Sequence, residues 1–193
     1  DYSYLRRILT EEDLEKFKVI GGNHDCYQED SEEYFKKQPF FLGDYGIKSI
    51  EDFSFFYVRG AWSIDHQWRR EHNLKKKDII WWEAEELFQE ELDNALELYK
   101  DTKPDFVVTH DAPFDLVPYI TDPEFAKNFG YFERIKTRTT MALQAMFEFH
   151  RPKTWICGHY HTRYEINLEG TNFIVLDMLR TGKVVNSYID FSM

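Results

Sequence analysis

Cysteine is scarce: Cys26 and Cys157 are the only two in 193 residues, and no Asn-x-Ser/Thr acceptor occurs. That composition gives no reason to expect an oxidising, secreted setting, so two free thiols are expected. Long apolar runs are missing as well. None approaches the roughly 20 residues a membrane-spanning helix needs, and the opening residues 1–7 lack the apolar centre of a secretory signal. Positive charge is in deficit, with 24 Lys+Arg against 35 Asp+Glu and a formal net charge of −11. A chain held mainly by nucleic-acid phosphates needs the opposite sign, and an anionic membrane would repel this one. The 9 Gly and 6 Pro are scattered, so no linker, repeat or low-complexity tract divides the chain. One cytoplasmic domain over residues 1–193 is expected, with no membrane partner and no nucleic-acid partner indicated by charge.

What the chain does have is core material: 42% of it is hydrophobic and 18% aromatic. Thr10 and Asp13 stand at capping-box spacing ahead of Leu14 and Phe17, and Asp30-Ser31 forms a second polar start before Tyr34-Phe35. Both predict short surface helices. From about Trp81 to Tyr99, a stripe of Ala84, Phe88, Leu92, Ala95 and Tyr99 predicts a longer helix, with Glu83, Glu85, Glu90 and Glu91 on its solvated face. A further helix is predicted from about Thr139 to Phe149, burying Leu143, Met146 and Phe147 and ending before Pro152. Three apolar runs, Val19-Ile20, Phe106-Val107-Val108 and Trp155-Ile156-Cys157, are too short for helices and read as strands buried on both faces. Asp52 to Arg59 is β-rich, and the tail from Tyr164 to Phe191 predicts strands turning at Glu169-Gly170 and Thr181-Gly182. Helices alternating with buried strands define an α/β fold.

Chemistry collects just after the buried runs. Gly21-Gly22-Asn23-His24-Asp25 follows the first, Thr109-His110-Asp111 the second and Gly158-His159-Tyr160-His161 the third, which places four of the seven histidines at three tips. Ligands of open α/β sheets bind beyond the carboxyl ends of the strands, where such tips converge. Imidazole together with amide or carboxylate oxygen suits borderline divalent ions. Gly22 and Gly158 remove bulk where backbone must approach closely, and Asp25 and Asp111 are candidates to orient the imidazoles from behind, or else to cap their loops.

In this order and at these separations, Gly22-Asn23-His24-Asp25, Thr109-His110 and Gly158-His159-Tyr160-His161 resemble the later motifs of the calcineurin-like metallophosphoesterases. Gly60-Ala61-Trp62-Ser63-Ile64-Asp65 and Trp81-Trp82 resemble bacterial and phage members. The resemblance implies a four-layer α/β/β/α sandwich and hydrolysis of phosphomonoesters or phosphodiesters at a dinuclear centre, by attack of a metal-bound hydroxide. It implies that Asn23, His110 and His159 bind one ion and His161 the other, with Mn²⁺ foremost and Zn²⁺, Fe²⁺ or Ni²⁺ as substitutes. His24 would act on the transition state or the leaving oxygen. The family's Asp-x-His and Gly-Asp motifs do not precede Asn23 here. The sandwich is therefore expected to lack its N-terminal strands in this chain, and a phosphoesterase-fold scaffold or binding protein that no longer turns over is the rival reading.

Other residues read as structural. His66, His72 and His150 are expected to be surface or hydrogen-bonding histidines, and Trp62, Trp68, Trp81 and Trp82 core or packing residues. Cys157 is expected to be a buried thiol rather than a zinc ligand. Arg59, Arg69 and Arg70 carry forks suited to phosphate, but solvent exposure is the expectation for them.

Overall fold

A computed structural model describes residues 7, 9–25, 27, 37–38, 40–50, 53–75, 78–130 and 135–178. Cys26, the Asp30-Ser31 start and the Thr181-Gly182 turn lie outside these residues. The α/β class expected from the sequence is the one adopted. Six strands form one mixed sheet in the order β1-β2-β3-β4-β6-β5. They are β1 (Tyr45–Ile50), β2 (Phe53–Val58), β3 (Phe106–Thr109), β4 (Thr154–Cys157), β5 (Tyr164–Leu168) and β6 (Thr171–Val175). Strands β2, β3, β4 and β6 run parallel, and β1 and β5 pair antiparallel at the two edges. Of the two sheets in a four-layer sandwich, this is the one formed among the described residues.

Register explains where the core sits. Phe56, Val107, Trp155 and Phe173 are neighbours across four strands and all 0% exposed, and Val58, Thr109, Cys157 and Val175 form the next row on the same face. Two helices cover that face, α3 (Gln89–Thr102) and α6 (Arg138–Phe149), which also pack on each other. Tyr99 of α3 meets Phe56 edge-on at 5.1 Å, and Phe147 of α6 meets Phe173 edge-on at 5.1 Å. Each buried aromatic side chain contributes about 1.5–3 kcal/mol by leaving water. Leu143, Met146 and Phe147 are buried as predicted, and Cys157 lies in this core as a free thiol that burial pushes well above its ordinary pKa.

The remaining helices are short: α1 (Glu11–Lys16), α2 (His66–Lys75), α4 (Val117–Ile120) and α5 (Pro123–Lys127). Helix α1 has the expected capping box, Thr10 Oγ1 accepting from Asp13 N–H while Asp13 Oδ2 accepts from Thr10 N–H. The β5–β6 hairpin turns at Glu169-Gly170 as predicted, both with positive φ, which matches the tight primed turns favoured by twisted strands. No helix among the described residues is long and apolar enough to cross a membrane.

Three expectations need correction. Val19-Ile20 forms no strand and is only half-buried. Val19 makes an isolated parallel bridge to Phe41, because too few of its backbone groups find a partner to extend a ladder. The helix expected from Trp81 begins at Gln89, preceded by a 3₁₀ turn at Glu83–Glu85. Its start is displaced because Glu85 and Glu86 turn inward. Glu85 pairs with Arg69 and Glu86 accepts from Thr139 N–H, so Glu85 is buried rather than solvated. Arg59 and Arg69 are likewise buried at 2% and 5%, against the expected exposure, because Asp44 and Glu85 neutralise them.

Candidate metal centre

Parallel pairing brings the carboxyl ends of β2, β3 and β4 to one rim, and backbone hydrogen bonds carry that alignment past the strands. His110 N–H donates to Val58 O, Gly158 N–H donates to His110 O, and Gly60 N–H donates to Gly21 O. The last bond ties the 21–25 loop beside β2 without needing a strand there. All three chemistry-bearing tips therefore lie on one edge of the sheet.

At that edge, Asn23 Oδ1 lies 2.9 Å from His110 Nε2 and 3.3 Å from His159 Nδ1, and the two imidazoles stand edge-on at 5.2 Å. These residues come from positions 23, 110 and 159, so only the fold joins them. Asn23 is 3% exposed. Burial, aided by the neighbouring histidines, pushes His110 down to about pKa 4 and His159 well below its ordinary value. Both rings stay neutral at pH 7, which is the form that carries a lone pair for a cation.

Local structure shows how tightly the cluster is built. A Cβ on Gly22 would lie 2.7 Å from His110 Cε1, so the first loop passes over the imidazole at a distance only glycine allows. The same argument fails for Gly158, whose Cβ would meet nothing within 4 Å. His159 has φ 67° and sits inside a bond from Tyr160 N–H to Gly158 O, the marks of the strained γ-turn. A backbone held in that region by a non-glycine residue costs about 1–3 kcal/mol and concentrates at functional sites. His161 has φ 53° in the same tip.

Asp111 accepts from Ala112 N–H and from Tyr160 Oη–H at 2.6 Å, and the Tyr160 ring packs edge-on against His159 at 5.0 Å. The carboxyl thus braces His159 through a tyrosine. Burial raises Asp111 to about pKa 7 and moves Tyr160 well above its ordinary value. Asp25 Oδ2 accepts from Gly22 N–H at 2.8 Å, which closes the first loop on itself. His24 and His161 are exposed at the rim, and each is close enough to disfavour protonation of His110 and His159. His24 is itself lowered, by partial desolvation first and then by Arg69.

Behind Asn23 lies a network the sequence does not announce. Asn23 Nδ2–H donates to Ser63 Oγ at 2.8 Å, Ser63 Oγ–H donates to Glu85 Oε2, and Arg69 Nη1 donates to Ser63 Oγ and to Glu85 Oε2, each at 3.0 Å. Ser63 and Glu85 also line a cavity of about 270 Å³ with Trp62, Trp81 and Trp82. These tryptophans and the exposed Trp68 are not core residues; the fully buried tryptophan is Trp155. His150 is structural as expected, its Nε2 3.0 Å from Pro104 O.

Gly22→Ala is expected to weaken Mn²⁺ binding by about tenfold or more by displacing the His110 ring, with the far-ultraviolet circular dichroism spectrum unchanged. Calorimetric titration of the purified variant checks this, and undiminished affinity would show that the close approach is dispensable.

Among the described residues no group of three or more His, Cys, Asp or Glu is placed to hold a metal, so the convergent set depends on the Asn23 amide. No curated protein matches the chain. Among solved structures it is similar to GAP50, the anchor in the inner membrane complex of Plasmodium, at 10% identity and a TM-score of 0.33, over 80% of this chain and 44% of that one. The chain thus spans less than half of that structure, and so loose a likeness carries no weight here. The sequence model of the calcineurin-like phosphoesterases, by contrast, matches residues 2–163, a span that contains Asn23, His110, His159 and His161 together, and the chain belongs to that family.

Proposed function

We propose that this chain hydrolyses phosphomonoesters or phosphodiesters with divalent ions held at the rim where the three tips meet. Metal-dependent phosphoester hydrolysis is the general chemistry of the family. The observation that carries the reading for this chain is the convergence of Asn23 Oδ1, His110 Nε2 and His159 Nδ1 within 3.3 Å of the amide oxygen. One neutral oxygen and two unprotonated imidazoles fit a borderline cation, and Mn²⁺ is the first choice for such a set.

In this reading Asn23, His110 and His159 hold one ion and His161 serves a second. Divalent ions supply two things when bound: they lower the pKa of coordinated water and draw charge from phosphate oxygens. The chain's own residues do the rest. His110 and His159 remain neutral because their surroundings penalise the charged ring, so protons do not compete for their lone pairs near pH 7. Asp111, through Tyr160, and Gly22, by its bare Cα, fix the planes of the two rings. His24 stands exposed beside them, free to reach a substrate oxygen and to donate a hydrogen bond or proton to the leaving group.

A catalytically impaired member of the family is the second reading. It is favoured by the lack of a carboxylate among the clustered side chains, since no three His, Cys, Asp or Glu among the described residues are placed around one ion. Turnover of chromogenic mono- and diesters with added Mn²⁺ separates the two. Hydrolysis is expected, and His24→Ala should lower kcat by about 10²-fold or more while leaving Mn²⁺ affinity unchanged. Equal rates in the variant, or no release above background in the parent, would favour the impaired scaffold.

A further inference from the structure

The amide of Asn23 has two ends of nearly the same shape, and only one can face a cation. Rotating it by half a turn would put an NH₂ group against His110 and His159, where it would repel a metal instead of binding one. Something must choose the orientation. We propose that Ser63, held by Glu85 and Arg69, is the positioning residue that turns the Asn23 oxygen toward the metal. This inference rests on the reading of the site given above.

The choice follows from which partners can donate and which can only accept. Arg69 is donor-only, being a permanently charged guanidinium, and it donates from Nη1 at 3.0 Å to both Ser63 Oγ and Glu85 Oε2 while Nη2 pairs with Glu85 Oε1 at 2.7 Å. Burial raises the Glu85 carboxyl to about pKa 7, while Ser63 and Arg69, by donating to it, favour the ionised form, which only accepts. Ser63 has one proton, and that proton is committed to Glu85 Oε2. Its lone pairs are then left for Arg69 and for Asn23, so toward Asn23 the hydroxyl presents an acceptor only. The group that Asn23 turns toward Ser63 must therefore be the NH₂ end, as the 2.8 Å contact from Nδ2 shows, and the oxygen is left facing the imidazoles.

Burial makes the choice strict. Asn23 is 3% exposed, Ser63 2%, Glu85 2% and Arg69 5%, so these four side chains are satisfied chiefly by one another. Leaving an amide proton unmatched there carries the desolvation penalty of a buried polar group. The backbone secures the arrangement from two sides. Gly60 N–H donates to Gly21 O, two residues before Asn23, and Ala61 N–H donates to Glu85 O, two residues before Ser63. The three segments keep their spacing without help from the side chains that choose the orientation. A merely structural serine would need none of this directionality.

The test is Mn²⁺ binding by calorimetry in two backgrounds, with a thermal melt of each variant. In the parent chain, Ser63→Ala is expected to weaken Mn²⁺ by about 10- to 100-fold, the range seen when an outer partner of a metal ligand is removed. In an Asn23→Asp background both ends of the side chain are oxygens, orientation no longer matters, and the same substitution should cost less than about threefold. An equal loss in both backgrounds, or no loss in the parent, overturns the proposal. Glu85→Gln is the second variant, for use if Ser63→Ala does not fold. It leaves a single acceptor oxygen for Arg69 and the serine to share, which loosens the serine proton and should also weaken Mn²⁺ about tenfold, and unchanged affinity would again overturn the proposal. Failure of the parent chain itself to bind Mn²⁺ would instead remove the function proposed above, so the two failures are distinct.

Discussion

His159→Ala is expected to lower metal-dependent phosphoester hydrolysis by two to three orders of magnitude, about 3–4 kcal/mol of transition-state stabilisation. The size follows from where the ring sits. It is one of two imidazoles on a single amide oxygen, burial and then the neighbouring histidines keep it unprotonated, and the chain accepts a positive φ to place it. Alanine keeps a Cβ at that positive φ and so keeps the strain, and the fold should be retained with little change in stability while activity collapses. Steady-state kinetics at saturating Mn²⁺, together with a urea unfolding curve, read the two effects separately. A variant that is unstable but active would mean that the ring belongs to the core rather than to the site.

Gly60→Ala is expected to be the most damaging single substitution for folding, by about 3 kcal/mol or more out of the 5–15 kcal/mol that keeps a domain folded. Gly60 has φ 77°, and a Cβ there would lie 2.3 Å from Glu85 O, a backbone atom that cannot swing away because it already accepts from Ala61 N–H. The left-handed backbone costs about 1–2 kcal/mol for a residue with a side chain, and the overlap adds about 1–3 kcal/mol. Gly170→Ala separates the two contributions. Its φ is 91° but a Cβ there meets nothing within 4 Å, so it should cost only about 1 kcal/mol. Similar urea midpoints for the two variants would refute the steric part of the argument.

Strands β3 and β4 were legible because their apolar runs are too short for helices, and α6 because Leu143, Met146 and Phe147 repeat at helical spacing. Edge strand β1 was not, since Ile47, Lys48 and Ser49 are all exposed and leave no alternation to read. Helix α2 was hidden for a related reason. The one residue it buries is Arg69, and a charged anchor leaves no apolar stripe. The same chemistry displaced the start of α3, because Glu85 and Glu86 count as solvated in any pattern that does not know their partners. At the site, Asn23, His110 and His159 announced themselves by following apolar runs, and the fold brings them into contact. Ser63, Glu85 and Arg69 did not, because each is an ordinary polar residue until three separate segments meet. The usable signal was Ser63 lying between Trp62 and Ile64, in an aromatic and apolar stretch where a hydroxyl needs a buried partner.

The most direct test of the shared ion is pulsed electron paramagnetic resonance of the Mn²⁺-loaded chain, which detects nitrogen bonded to the metal. Two imidazole nitrogens on one Mn²⁺ are predicted, with one coupling lost in His110→Ala and one in His159→Ala. A spectrum without directly bonded nitrogen, or one that both substitutions leave unchanged, would contradict the account.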